Sequence, residues 1–402
     1  MRTRLFAIVF SFIAVLFAAP ALSQAVAAPD SACVTDYNPT VDYFPDKAEV
    51  ESASGFTIEY FNHYKLVTVT TPWPGATEDD IFRYLLVLCG TPTPDGFEDA
   101  ALIEIPTRRA ITMGTTFLPH IVQLGVLDSL VGVDSLLYVN SPEVVSKGEA
   151  GELVEVGFGS SVNVELVLDS ETDLVITSGS GSPDYDAHPV LIEAGIPVVL
   201  SGDWAELTPL GRAEWIKFTA AFFNAEAAAN DAYEAEAARY EALTALTADV
   251  TAGEMPTVLW GSVFSDSWAI PGGRSYIAAL LNDAGGRLIL TDSPEAAELT
   301  GSALFDFETV YEAGINADLW VPIAFGVSDL ASFLAFDARY ADFAPVVNGA
   351  VWNNDARVNA NGGNDFYERG VTDPSTVLSD LVHILHPELL PDHELIYFRK
   401  LN

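Results

Sequence analysis

Residues 224–253, NAEAAANDAYEAEAARYEALTALTADVTAG, restrict the possible folds more than any other stretch of the chain. They are rich in Ala and Glu and contain neither Pro nor Gly before the last position. Ala is the strongest helix former and Glu is close behind. Asn224 is placed to cap the first turn, and Glu226 suits the positive end of the helix dipole. Gly253 can close the helix in a left-handed cap, and Pro256 forbids its return. Tyr233, Tyr240, Leu243, Leu246 and Val250 fall on one stripe at helical spacing. At 1.5 Å per residue such a helix spans roughly 40 Å, enough to reach from one lobe to another. Taken alone, the stretch also fits a coiled-coil arm or a long surface helix. The flanking sequence decides between them.

Half of the 402 residues are hydrophobic, enough for two or three domains with a large core. Fifty-seven acidic residues stand against 18 basic ones, a formal charge of −39. That balance repels phosphate backbones and argues against a nucleic-acid partner. At the N-terminus, Arg2 and Arg4 precede an apolar run over residues 5–22, interrupted by Pro20. Small residues three apart follow at Ser23-Gln24-Ala25 and Ala25-Val26-Ala27. This is the pattern of an export signal over residues 1–27, and it is short for a membrane span. Export places Cys33 and Cys89 in an oxidising compartment, where a disulfide is expected. The competing reading, lipidation of Cys33, is weakened by Asp30 in the stretch before it.

Residues 28–105 form a β-rich extension with alternating runs at 56–60, 65–70 and 84–88. From Arg109 the pattern turns to α/β. Short strands are expected at 110–113, 130–133, 173–177 and 197–200, with helices at 119–130, 163–168, 189–194 and 210–223. After the long helix the alternation restarts, with strands at 257–260, 318–321 and 349–352. Helices are expected there at 275–284, 307–313, 330–335 and 373–385. The tail, residues 395–398, is expected to pair with the N-terminal sheet. The two halves echo each other. Glu165-Leu166-Val167 leads to Asp173-Leu174-Val175, and Glu308-Thr309-Val310 leads to Asp318-Leu319-Trp320. The fold class is therefore α/β: two lobes with parallel sheets, residues 106–223 and 254–402, joined by one helix over 224–253. A cleft is expected between them.

Four stretches carry a family resemblance. One is Arg108-Arg109-Ala110-Ile111 followed by Leu124-Gly125-Val126-Leu127 and Val131-Gly132-Val133. The second runs from Val164-Glu165 through Asp173-Leu174-Val175-Ile176, and the third from Pro271-Gly272-Gly273-Arg274 through Asp283-Ala284-Gly285-Gly286. The long helix is the fourth. In this order and spacing the chain resembles the helical-backbone periplasmic substrate-binding proteins of ABC importers, the type that carries iron–siderophores, haem or cobalamin. The resemblance covers residues 106–385. It implies a monomer that captures a solute in the interlobe cleft, without a cofactor, and delivers it to a membrane permease. It further implies that an acidic residue on each lobe docks onto the permease, at Glu165 and Glu308. Ordinary first-turn helix acids are the plain alternative for both.

Ligand contacts are expected on the loops that leave the carboxyl ends of the strands. The candidates are Thr115, Thr116, Phe117, His120, Ser180, Tyr185, Trp204, Trp268, Arg274, Arg357 and Tyr367. Small polar residues, aromatics and a few arginines suit a bulky ligand with ring faces and some anionic groups. The Gly-Ser run at 178–182 lacks the Lys of a phosphate loop, and no Gly-x-Ser-x-Gly nucleophile motif occurs. His383 and His386 lie near the chain end, where a surface or core role outweighs metal ligation. An exported binding protein for a metal chelate is the reading that results. A bare-metal-ion-binding protein and a secreted α/β enzyme are the alternatives.

Overall fold

The structure, a computed structural model, describes residues 33–402. The expected export signal, residues 1–27, lies outside them. Among the described residues, strands β1 (Phe56–Tyr60), β2 (Tyr64–Val69), β3 (Phe82–Leu88) and β4 (Ala101–Ile105) form one sheet in that order. β1, β2 and β3 pair antiparallel, and β4 joins β3 in parallel. β4 was not expected, because Pro and Gly at 90–96 suggest that the meander ends there. Cys33 and Cys89 are joined in a disulfide, which ties the start of the described chain to the end of β3.

This extension shares one core with the first lobe. Phe56 of β1 packs on Trp215 and Phe218, with ring centroids 4.6 and 5.7 Å away. Two buried carboxylates fasten residues 51–55 to the lobe. Glu214 accepts the backbone N–H groups of Ser52 and Ala53 at 2.6 and 2.7 Å. Glu206 accepts those of Ser54 and Gly55 at 2.9 and 2.8 Å and the indole of Trp215 at 3.0 Å. Each carboxylate is buried yet met by several donors, which is what makes burial of the charge tolerable. Glu214 also interrupts the expected helix over 210–223, which is split into Pro209–Ala213 and Trp215–Phe223.

The first lobe holds a parallel sheet of β5 (Ala110–Met113), β6 (Leu130–Val133), β7 (Val154–Glu155), β8 (Leu174–Ser178) and β9 (Val198–Ser201), in the spatial order β7-β6-β5-β8-β9. The second lobe is built on β10 (Thr257–Trp260). A hairpin follows, β11 (Val263–Phe264) and β12 (Ser267–Pro271). Next come β13 (Arg287–Leu288), β14 (Ser302–Phe305), β15 (Leu319–Val321), β16 (Trp352–Asn353) and β17 (Arg399–Lys400). Its parallel sheet runs β13-β10-β15, extended by a parallel bridge from Trp320 to Val351. Leaving edge strand β7 aside, both lobes place their strands in the order second, first, third, fourth. The echo in the sequence is thus a repeat in topology. β11, β12 and β14 make a separate antiparallel sheet. The tail does not reach the N-terminal sheet: β17 pairs with β16 inside the second lobe. The expected strand over 349–352 supplies only that bridge and the start of β16.

The long helix is Glu226–Thr247, about 33 Å at 1.5 Å per residue. Its bounds differ from the expected 224–253. Asn224 adopts the left-handed conformation (φ 54°, ψ 41°) and ends the preceding helix instead of capping this one. Turns replace helix beyond Thr247, and Gly253 provides no left-handed cap. The buried positions are Glu226, Ala229, Tyr233, Glu236 and Tyr240, spaced alternately three and four apart, and then Thr247, seven further on along the same face. Leu246, expected on the stripe, is exposed. Ala229 and Tyr233 join Leu124, Ile216 and Ala220 of the first lobe in one cluster. Tyr240 joins Val258, Leu280 and Leu381 of the second. Polar bonds complete both joints. Tyr233 Oη donates to Ser52 Oγ at 2.6 Å, and Tyr240 Oη donates to Asp283 at 2.7 Å. Glu236 accepts the backbone N–H of Ser375 at 2.6 Å, at the start of the last helix, Pro374–Leu385.

Candidate binding cleft

Helices that return to a parallel strand start at the carboxyl edge of the sheet, so loops and helix N-termini share one face of each lobe. In the second lobe this edge carries a cavity of 720 Å³. Its walls are the segments past β10 and β15, together with Phe336, Phe366 and Tyr367. Trp260 and Val321 are register partners. Phe264 and Phe325, each four residues further on, present their rings to solvent at 83% and 69% exposure. No Lys, Arg or His lines this cavity.

The backbone here is held in an unusual shape. Ile323 has φ +52°, a region that β-branched residues rarely occupy. The buried side chain of Asn353 clamps the next residue: its Oδ1 accepts Ala324 N–H at 2.9 Å, and its Nδ2 donates to Ala324 O at 2.7 Å. Asn353→Ala is expected to cost about 2–3 kcal/mol, because it orphans a buried donor and a buried acceptor. Urea unfolding checks this. A loss under about 0.5 kcal/mol, the size of an ordinary surface substitution, would remove the clamp from the account.

On the first lobe, Thr115 and Thr116 are half-buried in the turn after β5, next to the short helix Asp365–Glu368 of the second lobe. Ser180 belongs to a loop organised by Asp186, which accepts its N–H at 2.9 Å and its hydroxyl at 2.7 Å. Tyr185 is 77% exposed. Trp204 is exposed too, and its indole donates to Gly179 O at 3.2 Å. Trp73 of the extension packs under the same loop. A Cβ at Gly181, where φ is +75°, would fall 2.8 Å from the Trp73 indole nitrogen, so only glycine fits.

Five candidates are placed elsewhere. Phe117 is core. His120 is buried, with Nδ1 3.0 Å from Thr219 Oγ1. Burial pushes its pKa down to about 4 against the pull of Asp203, so it is neutral at ordinary pH. Trp268 is fully buried, stacked 5.6 Å from Trp320 and bonded to Trp260 O at 3.0 Å. The stretch read as a loop is the β11–β12 hairpin, with Ser265 and Asp266 at φ 49° and 67° as its tight turn. Strand alternation then sends Trp268 inward and leaves Phe264 outside. Arg274 lines a separate cavity with Arg287, and its loose partner is Glu298 at 3.5 Å. Arg357 is spent on Asp365, 3.1 Å away. Tyr367 does line the cleft cavity, with its hydroxyl 3.3 Å from Asn354 Nδ2.

Residues 114–343 match the periplasmic binding protein family, more than half of the chain. The chain belongs to that family. An uncharacterized lipoprotein of Methanocaldococcus jannaschii is 25% identical over 384 residues, 93% of this chain and 94% of its own length. A second from the same organism is 26% identical over 313 residues, covering 75% and 70%. A periplasmic heme-binding protein of Pseudomonas aeruginosa has a similar fold, with a TM-score of 0.53 at 19% identity over 74% of this chain and 98% of that one. The molybdate periplasmic binding protein of Haemophilus influenzae superposes with a TM-score of 0.53 at 18% identity, over 72% and 89%. At these identities the likeness establishes the two-lobed fold.

In this binding protein the two acidic candidates occupy matching positions. Glu165 is in the first turn of the helix Val164–Asp169, ahead of β8, and Glu308 in the first turn of Phe307–Gly314, ahead of β15. Both are exposed. Their surroundings differ. Arg339 lies 3.6 Å above the Phe307 ring, is forked by Asp337 and comes within 3.8 Å of Glu308. Among the described residues no helix is long and apolar enough to cross a membrane.

Proposed function

We propose that this protein captures a metal chelate of the iron–siderophore, haem or cobalamin class between its lobes and delivers it to an ABC importer, itself leaving the ligand unchanged. One observation carries the reading: a 720 Å³ cavity at the carboxyl edge, floored by exposed aromatic rings and free of basic side chains. Such a wall suits a ligand whose metal charge is already masked and which offers ring or apolar faces. A bare cation would need clustered donors. Among the described residues the group close enough to share an ion is Cys33, Cys89 and Glu104, where the two sulfurs are bonded to each other. The relatives named as lipoproteins support a place on the outer side of a membrane.

The test is tryptophan-fluorescence titration with haemin, a ferric hydroxamate siderophore, cyanocobalamin, molybdate and Ni²⁺. One of the first three is expected to bind. Replacing Phe264 and Phe325 together by Ala should weaken it about 5- to 150-fold, at about 0.5–1.5 kcal/mol for each stacked ring. Saturation by molybdate or Ni²⁺ alone, untouched by the double substitution, would overturn the chelate reading.

A further inference from the structure

The rod is not the lobes' sole connection. Glu368 of the second lobe is fully buried, and its carboxylate faces the first lobe. It accepts the backbone N–H of Asn140 at 2.6 Å, the backbone N–H of Ser141 at 2.7 Å and the Ser141 hydroxyl at 2.5 Å. Ser141 is the residue before the helix Pro142–Glu149, so a carboxylate from one lobe satisfies the free amides at a helix start on the other. A second contact lies beside it. Asn359 Nδ2 donates to Leu137 O at 3.0 Å and to Val139 O at 3.1 Å. Gly363 rests so close to Tyr138 O that a Cβ would be 2.2 Å away. The same short segments carry exposed or cavity-lining rings: Tyr367, which lines the cavity, adjoins Glu368, and the exposed Tyr138 ring faces Phe158 at 6.1 Å.

We infer that Glu368 is a positioning residue: it clasps the two lobes at one end of the cleft, fixes the spacing of their aromatic walls, and must let go for the jaws to part fully. Capture and release then divide between two joints. The rod sets the distance between the lobes, and the clasp sets the angle. Burial raises the Glu368 carboxyl above its ordinary range, opposed by the donors of the other lobe. Parting the lobes gives the carboxylate back to water, so the clasp is a switch between two satisfied states and not a permanent weld. The inference rests on the two-lobed fold and not on which ligand is bound.

The test is an interlobe distance distribution from pulsed electron spin resonance, on ligand-free full-length protein. Spin labels go on Ile192→Cys and Leu304→Cys, exposed sites on the first and second lobe. With Glu368 present, one narrow distribution is expected. Glu368→Ala should add a longer distance that becomes the major population, from about 10% or less before. Asn359→Ala, which buries no charge and keeps Glu368, should give a smaller shift in the same direction. It also serves if Glu368→Ala fails to fold. Glu368→Gln keeps one acceptor and should lie between Ala and the parent. Distributions identical to the parent in both folded variants would overturn the clasp, whatever their melting temperatures and whatever the chelate titrations give.

Discussion

Lys65→Ala is expected to destabilise the protein by about 3–5 kcal/mol, the usual cost of removing one partner from a buried ion pair. Lys65 has no exposed surface. Its ammonium donates to Ala221 O and Asn224 Oδ1, each at 2.8 Å, and to Glu226, and it sits 4.7 Å from the Phe44 ring centre. Burial pushes its pKa down and Glu226 pulls it back up. Without the lysine, the Glu226 carboxylate stays buried at the start of the rod with the Tyr60 hydroxyl, 3.3 Å away, as a remaining donor. The positive end of the helix dipole offsets little of that, about 0.3–1 kcal/mol. The paired substitution Lys65→Met with Glu226→Gln should recover most of the loss, because replacing both ions by neutral groups of similar volume is close to neutral. Urea unfolding of the three variants measures both. A single-mutant loss below about 1 kcal/mol, the ceiling for an exposed pair, would mean that the pair is not desolvated in solution. The result bears on the extension's purpose: β2 carries Lys65, so this ion pair pins the extra sheet to the rod where the rod enters the first lobe.

Much of the fold was legible because parallel strands are short, apolar and bounded by Gly, Pro or Asp. Residues 110–113, 130–133 and 257–260 correspond to β5, β6 and β10. The rod was legible from composition, but its contact stripe was not. Three of its buried positions, Glu226, Glu236 and Thr247, are polar, and each is satisfied by a partner far away in sequence. A count of apolar spacing therefore chose Leu246, which faces solvent. The lining of the second-lobe cavity was less legible for a similar reason. Trp268 and Phe264 lie on one hairpin, and which of them lines the cavity depends on the register fixed by the Ser265-Asp266 turn. Phe325 had a usable signal: the repeat sets it at the same offset past β15 as Phe264 past β10. The arginines' partners were not legible, because a chain this acidic offers each cation a carboxylate close by, as Asp365 does for Arg357 and Glu298 for Arg274.

Reversing both first-turn acids, Glu165→Lys with Glu308→Lys, should lower uptake by at least about tenfold while chelate affinity in solution stays within about twofold. The carboxylates lie at equivalent points of a topological repeat, the arrangement a permease of matching two-fold geometry would need in order to meet both at once. Close charge pairs at protein interfaces are coupled by about 1.5–7 kcal/mol, and like charges set against each other cost several more. Neither acid lines the cavity, so capture is spared. The two positions should not contribute equally. Glu308 already faces Arg339 at 3.8 Å, which offsets part of its charge, whereas Glu165 has no cation described beside it. Glu165→Lys alone should therefore do more harm than Glu308→Lys alone. Arg339→Ala should strengthen docking, by exposing Glu308 and the Phe307 ring together. Reversal of Glu193, an exposed acid on another helix of the first lobe, controls for net charge. Transport into vesicles bearing the permease is the measurement, repeated at rising ionic strength. The Debye length falls from about 10 Å at 0.1 M to about 3 Å at 1 M salt, so the parent should lose its advantage over the double mutant as salt rises. A gap that persists unchanged at high salt would assign the defect to shape instead of charge. Equal uptake by parent and double mutant at low salt would return Glu165 and Glu308 to the status of ordinary helix-start acids.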